Sequence, residues 1–174
     1  MSKFEPYNIV LKDFTGTHTV EYTLDDVFFQ KIDSPEVQRG NVKAVVNVRK
    51  RGDVFELAFR LDGFILVPCD RCLDDMELPI THQENLLVKM GDKFSEEGET
   101  VIIPEAEGAI NVAWFLYEFI VLNIPLKHVH APGMCNKAMI SKLKKHIARS
   151  ADEEEDDNDN ALLDLVEGED DLDN

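Results

Sequence analysis

Cys69 and Cys72 are the residues whose type and spacing most directly indicate chemistry. They lie in Val67-Pro68-Cys69-Asp70-Arg71-Cys72-Leu73, near the middle of the chain. A Cys-x-x-Cys turn brings two sulfur atoms to about 4 Å from each other, which is the separation that tetrahedral zinc requires. One such pair supplies half of the ligands of a structural zinc site.

A second segment further along the chain, residues 127–135, can supply the remaining ligands. It contains His128, His130 and Cys135. If the segment is extended, the two histidines point to the same side, so only one of them needs to bind the metal. The sequence therefore predicts a zinc site of three cysteines and one histidine, with His128 as the alternative ligand. The predicted ligands are Cys69, Cys72, His130 and Cys135.

Two other interpretations of the cysteines stay open. The simpler one is a set of three reduced thiols that happen to pack near one another. The other is a redox or thiol enzyme, which needs a reactive Cys69 with a low pKa. Against it, the turn leads into a strand-like run rather than a helix, and we expect Asp74 and Asp75 to raise a nearby thiol pKa.

Basic residues gather at a predicted hairpin tip, inside the cysteine turn and on a predicted C-terminal helix. Together they form a candidate surface for nucleic-acid phosphates. Aromatic residues do not alternate with them, so base stacking is not indicated. The alternative interpretation is an ordinary solvated surface. The candidate contacts are Arg49, Lys50, Arg51, Arg71, Lys142, Lys144, Lys145 and Arg149.

The net charge of −17 is distributed unevenly along the 174 residues. Residues 151–174 contain 13 Asp and Glu and no Lys or Arg, whereas residues 1–150 have a net charge of only −4. The low overall pI therefore does not exclude an anionic partner for residues 1–150. We predict that 151–174 is a disordered acidic tail, because it cannot bury enough apolar surface to offset chain entropy.

The sequence lacks the residues and segments that several classes of protein require. The chain shows no signal peptide and no apolar run long enough for a membrane span, so we expect a cytoplasmic protein without disulfides. No phosphate-binding glycine loop, nucleophile elbow or metalloprotease histidine pair is present, and no small-molecule substrate is evident. Glu118 interrupts an apolar helix, and we interpret it as facing solvent or Arg60 rather than as a buried acid. We therefore predict a protein that is not an enzyme.

Hydrophobic periodicity predicts an α+β fold in which strands dominate. Alternating residues 42–48 and 55–61, joined by Lys50-Arg51-Gly52-Asp53, predict a hairpin, and Gly63 marks a bulge or a bend. Thr23 is the expected N-cap of a short helix, and residues 91–100 are expected to form a loop. We predict one domain over 1–150, an antiparallel, barrel-like sheet with a buried helix at 112–122 and a basic helix at 136–149.

The turn Cys69-Asp70-Arg71-Cys72-Leu73 resembles the Cys-x-Arg-Cys-Leu turn of the bacterial YceD family, the large ribosomal RNA subunit accumulation proteins. The similarity covers roughly residues 40–140 and leaves out the tail. Two departures are visible. Asn111 stands where an aspartate is usual, and the second segment has one cysteine instead of a pair. The other similar positions, in order, are Ile110-Asn111-Val112, Glu118, Leu122-Asn123-Ile124-Pro125, His130 and Cys135.

The resemblance implies a role in the synthesis, processing or accumulation of 23S ribosomal RNA, and so in assembly of the large ribosomal subunit. It implies no known catalytic activity. The expected partners are ribosomal RNA or large-subunit ribosomal proteins. The alternative is a protein-binding module that chaperones a basic ribosomal protein through its acidic tail.

Overall fold

A computed structural model describes the backbone of residues 4–150 and the side chains of residues 4–147. The described chain forms two compact units: residues 4–67 with 77–126, and residues 68–76 with 127–150. The predicted single domain over 1–150 stays a prediction, and the predicted disordered tail lies outside the described residues.

The architecture is α+β and rich in strands, as predicted. The strands are β1 (Asn8–Val10), β2 (Thr17–Leu24), β3 (Arg39–Arg51), β4 (Val54–Pro68), β5 (Asp75–Gly91), β6 (Ser95–Glu97), β7 (Thr100–Pro104) and β8 (Ala109–Asn111). The α-helices are α1 (Asp26–Ile32), α2 (Ala113–Val121) and α3 (Lys137–Ser150), and a short 3-10 turn spans Glu5–Tyr7.

Six of the strands form one sheet in the order β2-β3-β4-β5-β7-β6, and β1 pairs with β8. The prediction of an antiparallel sheet is wrong for one pair, because β5 and β7 run parallel. Barrel-like closure is not confirmed by these pairings. Residues 91–100 are not only a loop, since they contain β6, which pairs with β7.

The predicted hairpin is confirmed as the long β3–β4 pair, in which Arg51 pairs with Val54 next to the turn. One face of each strand is buried, because apolar residues recur at every second position. The inward residues of the predicted hairpin are Val42, Ala44, Val46 and Val48 on β3 and Phe55, Leu57, Phe59 and Leu61 on β4. The same alternation continues along β4 through Ile65 and Val67. It therefore leads the chain directly to Cys69.

Two helices in the first unit pack apolar residues against the sheet. The N-cap of α1 is Asp25, whose carboxylate accepts from the Phe28 N–H at 3.1 Å. The prediction of Thr23 is wrong, because the helix begins two residues further on. In α2, the ring of Phe119 lies edge-on to Phe59 at 5.1 Å. The prediction of a buried helix holds for one side only.

Glu118 lies on the exposed side of α2. Its side chain makes no hydrogen bond or ion pair with another described residue. The interpretation of Glu118 as facing solvent is therefore confirmed, while a pairing with Arg60 is not observed. None of the helices in the described part of the chain combines the length and the hydropathy that crossing a bilayer requires.

Gly63 is required by close backbone approach rather than by a bulge, since it pairs one-to-one with Val42 in an uninterrupted register. Its φ is +155°, and a Cβ atom there would lie 2.2 Å from the Asn41 carbonyl oxygen.

We expect Gly63→Ala to lower the free energy of unfolding by about 3 kcal/mol, measured by urea denaturation. Gly98→Ala is the matched control, because Gly98 also has a positive φ but faces open space. It should cost only about 1 kcal/mol. Equal losses would contradict the steric explanation.

Candidate metal centre

The cysteine turn, residues 69–73, is closed by its own backbone. The Cys69 N–H donates to the Asp74 carbonyl at 2.8 Å, and the Leu73 N–H donates to the Cys69 carbonyl at 2.9 Å. Leu73 takes a left-handed conformation with φ of 64°. The reversal turns Cys69 and Cys72 inward, and both are fully buried.

The second segment, 127–135, is held beside this turn by a pair of hydrogen bonds. The Asp70 N–H donates to the His128 carbonyl at 2.9 Å, and the His128 N–H donates to the Asp70 carboxylate at 2.7 Å. At the far end, Asn136 caps α3 by accepting from the Ala138 N–H at 3.0 Å. The Asn136 amide also donates to Asp74 at 3.0 Å. The start of the basic helix is therefore attached to the cysteine turn.

The structure brings the four predicted ligands together. The ligand atoms of Cys69, Cys72, His130 and Cys135 all lie within 4.8 Å of one another. The Cys69 and Cys135 sulfurs are 3.9 Å apart. His130 Nδ1 is 3.4 Å from the Cys72 sulfur and 3.9 Å from the Cys135 sulfur. A tetrahedral zinc ion separates two sulfur ligands by about 3.8 Å and a sulfur from a nitrogen by about 3.5 Å. The donor set and its spacing therefore fit zinc.

His130 occupies the ligand position, and its other ring nitrogen is held by the backbone. His130 Nε2 lies 3.2 Å from the Asp75 carbonyl oxygen, which only accepts hydrogen bonds. Protonated Nε2 leaves Nδ1 with its lone pair, as metal ligation requires. His128 was the alternative ligand, but its Nε2 lies 3.7 Å from the Asp70 carboxylate, and it is not in the cluster. Asp70 and Asp75 therefore support the site, which the sequence pattern alone did not reveal.

The surroundings of the Cys69 thiol favour its ionisation. Burial opposes its ionisation, but hydrogen bonds from the backbone N–H groups of Cys72, His130 and Arg71 outweigh it and lower the pKa to about 6. The His130 and Arg71 nitrogens are each 3.4 Å from the sulfur. The expectation that neighbouring aspartates would raise this pKa is wrong, because short-range N–H dipoles dominate. A thiolate at neutral pH is the form that binds metal.

Hydrogen bonds with Cys69 contribute to the pKa shifts of Cys135 and His130. Burial, together with hydrogen bonds to Cys69 and Cys72, raises the pKa of Cys135 to about 11. A hydrogen bond donated to the Cys69 sulfur raises the pKa of His130 above its ordinary value, although desolvation opposes it. Without a metal, the three cysteines and the histidine therefore compete for protons, because their side chains lie close together. A dication would relieve this competition by binding all four deprotonated groups.

The alternative interpretations fare differently. All three cysteines are free thiols. A thiol enzyme gains support from the low pKa of Cys69, whereas the burial of the Cys69 side chain counts against it. The four side chains could hold a metal ion with every ligand supplied by protein, as structural zinc sites do.

The predicted phosphate contacts fall in both units. Arg49, Lys50 and Arg51 end β3 in the first unit. There, Arg51 pairs with Glu56 at 3.2 Å, and the Lys50 ammonium lies 5.3 Å from the centre of the Phe55 ring. In the second unit, Arg71 is partly exposed within the cysteine turn. Lys142, Lys144 and Lys145 are exposed on α3, and Arg149 lies beyond the described side chains.

Comparison with known protein families shows which family the chain resembles. Residues 57–166 match the family described as Large ribosomal RNA subunit accumulation protein YceD. The matched range is more than half of the chain. The chain belongs to the YceD family. A search of curated proteins and a search of solved structures each returned no match.

The YceD match includes the whole candidate metal centre. It begins later than the predicted range of 40–140, within β4, and ends at residue 166. The tail was expected to lie outside the similarity, and this expectation is wrong for 151–166. In this YceD protein the second segment has one cysteine, and the fourth potential donor of the cluster is His130.

Leu73 combines exposure with an unfavourable backbone conformation. Its side chain is 67% exposed, and its φ of 64° disfavours a residue with a branched, apolar side chain. Asparagine tolerates this conformation better. We expect Leu73→Asn to raise the free energy of unfolding by about 0.5–1 kcal/mol, measured by thermal denaturation. Leu126→Asn, an exposed leucine without positive φ, is the control. Similar changes in both variants would contradict the backbone argument.

Proposed function

We propose that this protein is a non-enzymatic, cytoplasmic factor that supports synthesis, processing or accumulation of 23S ribosomal RNA and assembly of the large ribosomal subunit. Membership of the YceD family carries the proposal, because the family's description names large ribosomal RNA subunit accumulation. The partners are ribosomal RNA or large-subunit ribosomal proteins. No geometry for acid–base or nucleophilic catalysis is needed for this role.

The distribution of charge supports direct contact with RNA through the second unit. Residues 68–76 and 127–150 contain seven Lys and Arg against three Asp, a net charge of +4. The remaining residues up to 126 contain 19 acidic and 11 basic residues, a net charge of −8. RNA affinity depends on cations close to phosphates, so the local charge matters more than the total of −17.

Zinc has a structural role in this proposal. The ion would join the cysteine turn to the 127–135 segment. The hydrogen bond between Asn136 and Asp74 would then fix the start of α3 relative to the cysteine turn. Arg71 and the lysines of α3 would then be presented together. A zinc ion held by these four side chains would cross-link the two segments and would supply no reaction chemistry.

The second candidate is a module that chaperones a basic ribosomal protein. It is favoured by residues 151–174, whose 13 Asp and Glu with no Lys or Arg could shield a basic protein. The two candidates differ in what they need. Direct RNA contact needs the basic second unit, while the chaperone needs the tail.

Recovery of partners with and without nuclease treatment tests both candidates. We expect tagged full-length protein to recover large-subunit ribosomal RNA, and nuclease to remove most of the associated ribosomal proteins. Deletion of 151–174 should preserve or increase the RNA, because the tail no longer competes with RNA for the cations of α3.

The opposite pattern would favour the chaperone. There, one basic ribosomal protein would persist after nuclease treatment, and deletion of 151–174 would abolish its recovery. Failure to recover either large-subunit RNA or large-subunit protein would contradict both candidates.

A further inference from the structure

A groove along α2 in the first unit is lined by aromatic, aliphatic and acidic side chains, which the proposed role in ribosomal RNA accumulation does not require. It has a volume of about 360 Å³ and is lined by Ser34, Glu36, Trp114, Tyr117, Glu118, Val121 and Leu122. Four lining residues lie on α2 and Leu122 directly follows it, and their spacing matches the helical repeat, so they form one continuous stripe. Glu36 and Ser34, from the segment after α1, form the opposite side.

The exposed aromatic surface of this groove comes from Trp114, the only tryptophan of the chain. Its side chain is 52% exposed although the helix that carries it contributes to the core. Its ring lies perpendicular to Tyr117 at 6.0 Å, which braces it. Val121 and Leu122 extend the apolar surface by two further positions of the stripe. A large apolar surface left in solvent on a helix indicates a binding site.

The charges of the groove are all negative. Glu36 and Glu118 line it, and none of the lining residues in the described part of the chain is Lys, Arg or His. The Glu36 carboxylate accepts hydrogen bonds from the Ser34 hydroxyl and from the Tyr117 hydroxyl, the latter at 3.2 Å. Hydrogen bonds from Ser34 and from its own backbone, aided by Tyr117, hold the pKa of Glu36 below its ordinary value, so it is ionised at neutral pH. Glu118 has no ionic partner among the described residues.

We propose that the α2 groove binds an arginine- or lysine-rich segment of a protein partner. An aromatic face with carboxylates beside it matches the chemistry of these side chains. A guanidinium or ammonium group would lie over Trp114 and pair with Glu36 and Glu118, while its aliphatic stem would contact Val121 and Leu122. Nucleic acid is disfavoured, since two carboxylates repel phosphate. The proposal does not require the partner to be ribosomal and does not involve the acidic tail.

The single tryptophan makes the test direct, because its fluorescence reports on this groove alone. An oligoarginine peptide is titrated into the full-length protein at low ionic strength, and Trp114 emission and calorimetric affinity are recorded. We expect saturable quenching of Trp114. The double variant Glu36→Gln, Glu118→Gln should weaken binding about 5- to 10-fold. Trp114→Ala should weaken it about 2- to 5-fold by calorimetry, and Trp114→Phe by less.

A control variant distinguishes binding in the groove from attraction by the net negative charge of the protein. Glu105→Gln with Glu107→Gln removes the same charge at two exposed positions of the turn between β7 and β8. It leaves 151–174 intact, as does the groove variant. We expect binding and quenching close to those of the wild type, and circular dichroism should show that both double variants are folded.

Three outcomes would overturn the proposal. If the two double variants weaken binding equally, the peptide is attracted by net charge and not by the groove. If a homouridine RNA oligonucleotide quenches Trp114 and the peptide does not, the groove stacks bases. If Trp114 emission depends on protein concentration without peptide, the groove is the contact surface of a second copy.

Discussion

Cys72→Ser should abolish stoichiometric zinc in the purified full-length protein and lower its thermal stability. Serine preserves the size of the side chain but replaces a soft thiolate by a hydroxyl, which is a poor zinc ligand. With free zinc a thousandfold above the dissociation constant, the lost binding energy corresponds to about 4 kcal/mol of stability. Elemental analysis measures the metal, and thermal unfolding with and without a chelator measures its contribution.

His128→Asn is the matched control for this experiment. His128 lies two residues from His130 but contacts Asp70 instead of the cluster. The variant should keep its zinc and lose no more than about 1 kcal/mol, since the contact between His128 and Asp70 is partly exposed. The chelator should destabilise the wild type and His128→Asn equally and leave Cys72→Ser unchanged. Wild-type protein without zinc, or Cys72→Ser with full zinc, would contradict the ligand assignment.

Neutralising the α3 lysines should produce the largest loss of RNA affinity. Lys142, Lys144 and Lys145 are exposed on one helix of the basic unit. If each contacts one phosphate of single-stranded RNA, the triple Lys→Gln variant loses about 100-fold in affinity at 0.1 M salt. The slope of log K against log salt should also fall by about 2. Filter binding of ribosomal RNA fragments at several salt concentrations measures both quantities.

The matched control changes the same total charge in the acidic unit. Lys31, Lys89 and Lys93 are also exposed, and their triple Lys→Gln variant should leave the salt slope unchanged. A similar loss in both triple variants would show that overall charge governs affinity. Unchanged binding in the α3 variant would remove α3 from the RNA-binding surface.

Local patterns predicted the elements that carry their own signal. The β3–β4 hairpin combines strict alternation with a turn at Gly52, so neighbouring residues alone specify both strands and their register. The basic helix likewise begins directly after Asn136, a residue that caps helices through its side chain. Phe28 and Phe29 are buried on the inner side of α1, as the amphipathic spacing of a short helix requires.

Elements that depend on distant partners were missed. β6 and β8 are each three residues long and polar or mixed in composition. Each exists because another strand supplies its hydrogen bonds: β7 for β6, and β1 for β8. The parallel pairing of β5 with β7 is equally non-local. No pattern within such short segments distinguishes a strand from a loop.

The sequence by itself determined the donor types of the metal centre, the turn that pairs Cys69 with Cys72, and the family to which they point. These follow from residue identity and spacing. Only the tertiary structure decided that His130 rather than His128 completes the set, because that choice depends on Asp70 and on the Asp75 carbonyl. It also decided the low pKa of Cys69, since its N–H donors come partly from the distant His130. Directional contacts between segments far apart in the chain exist only after folding.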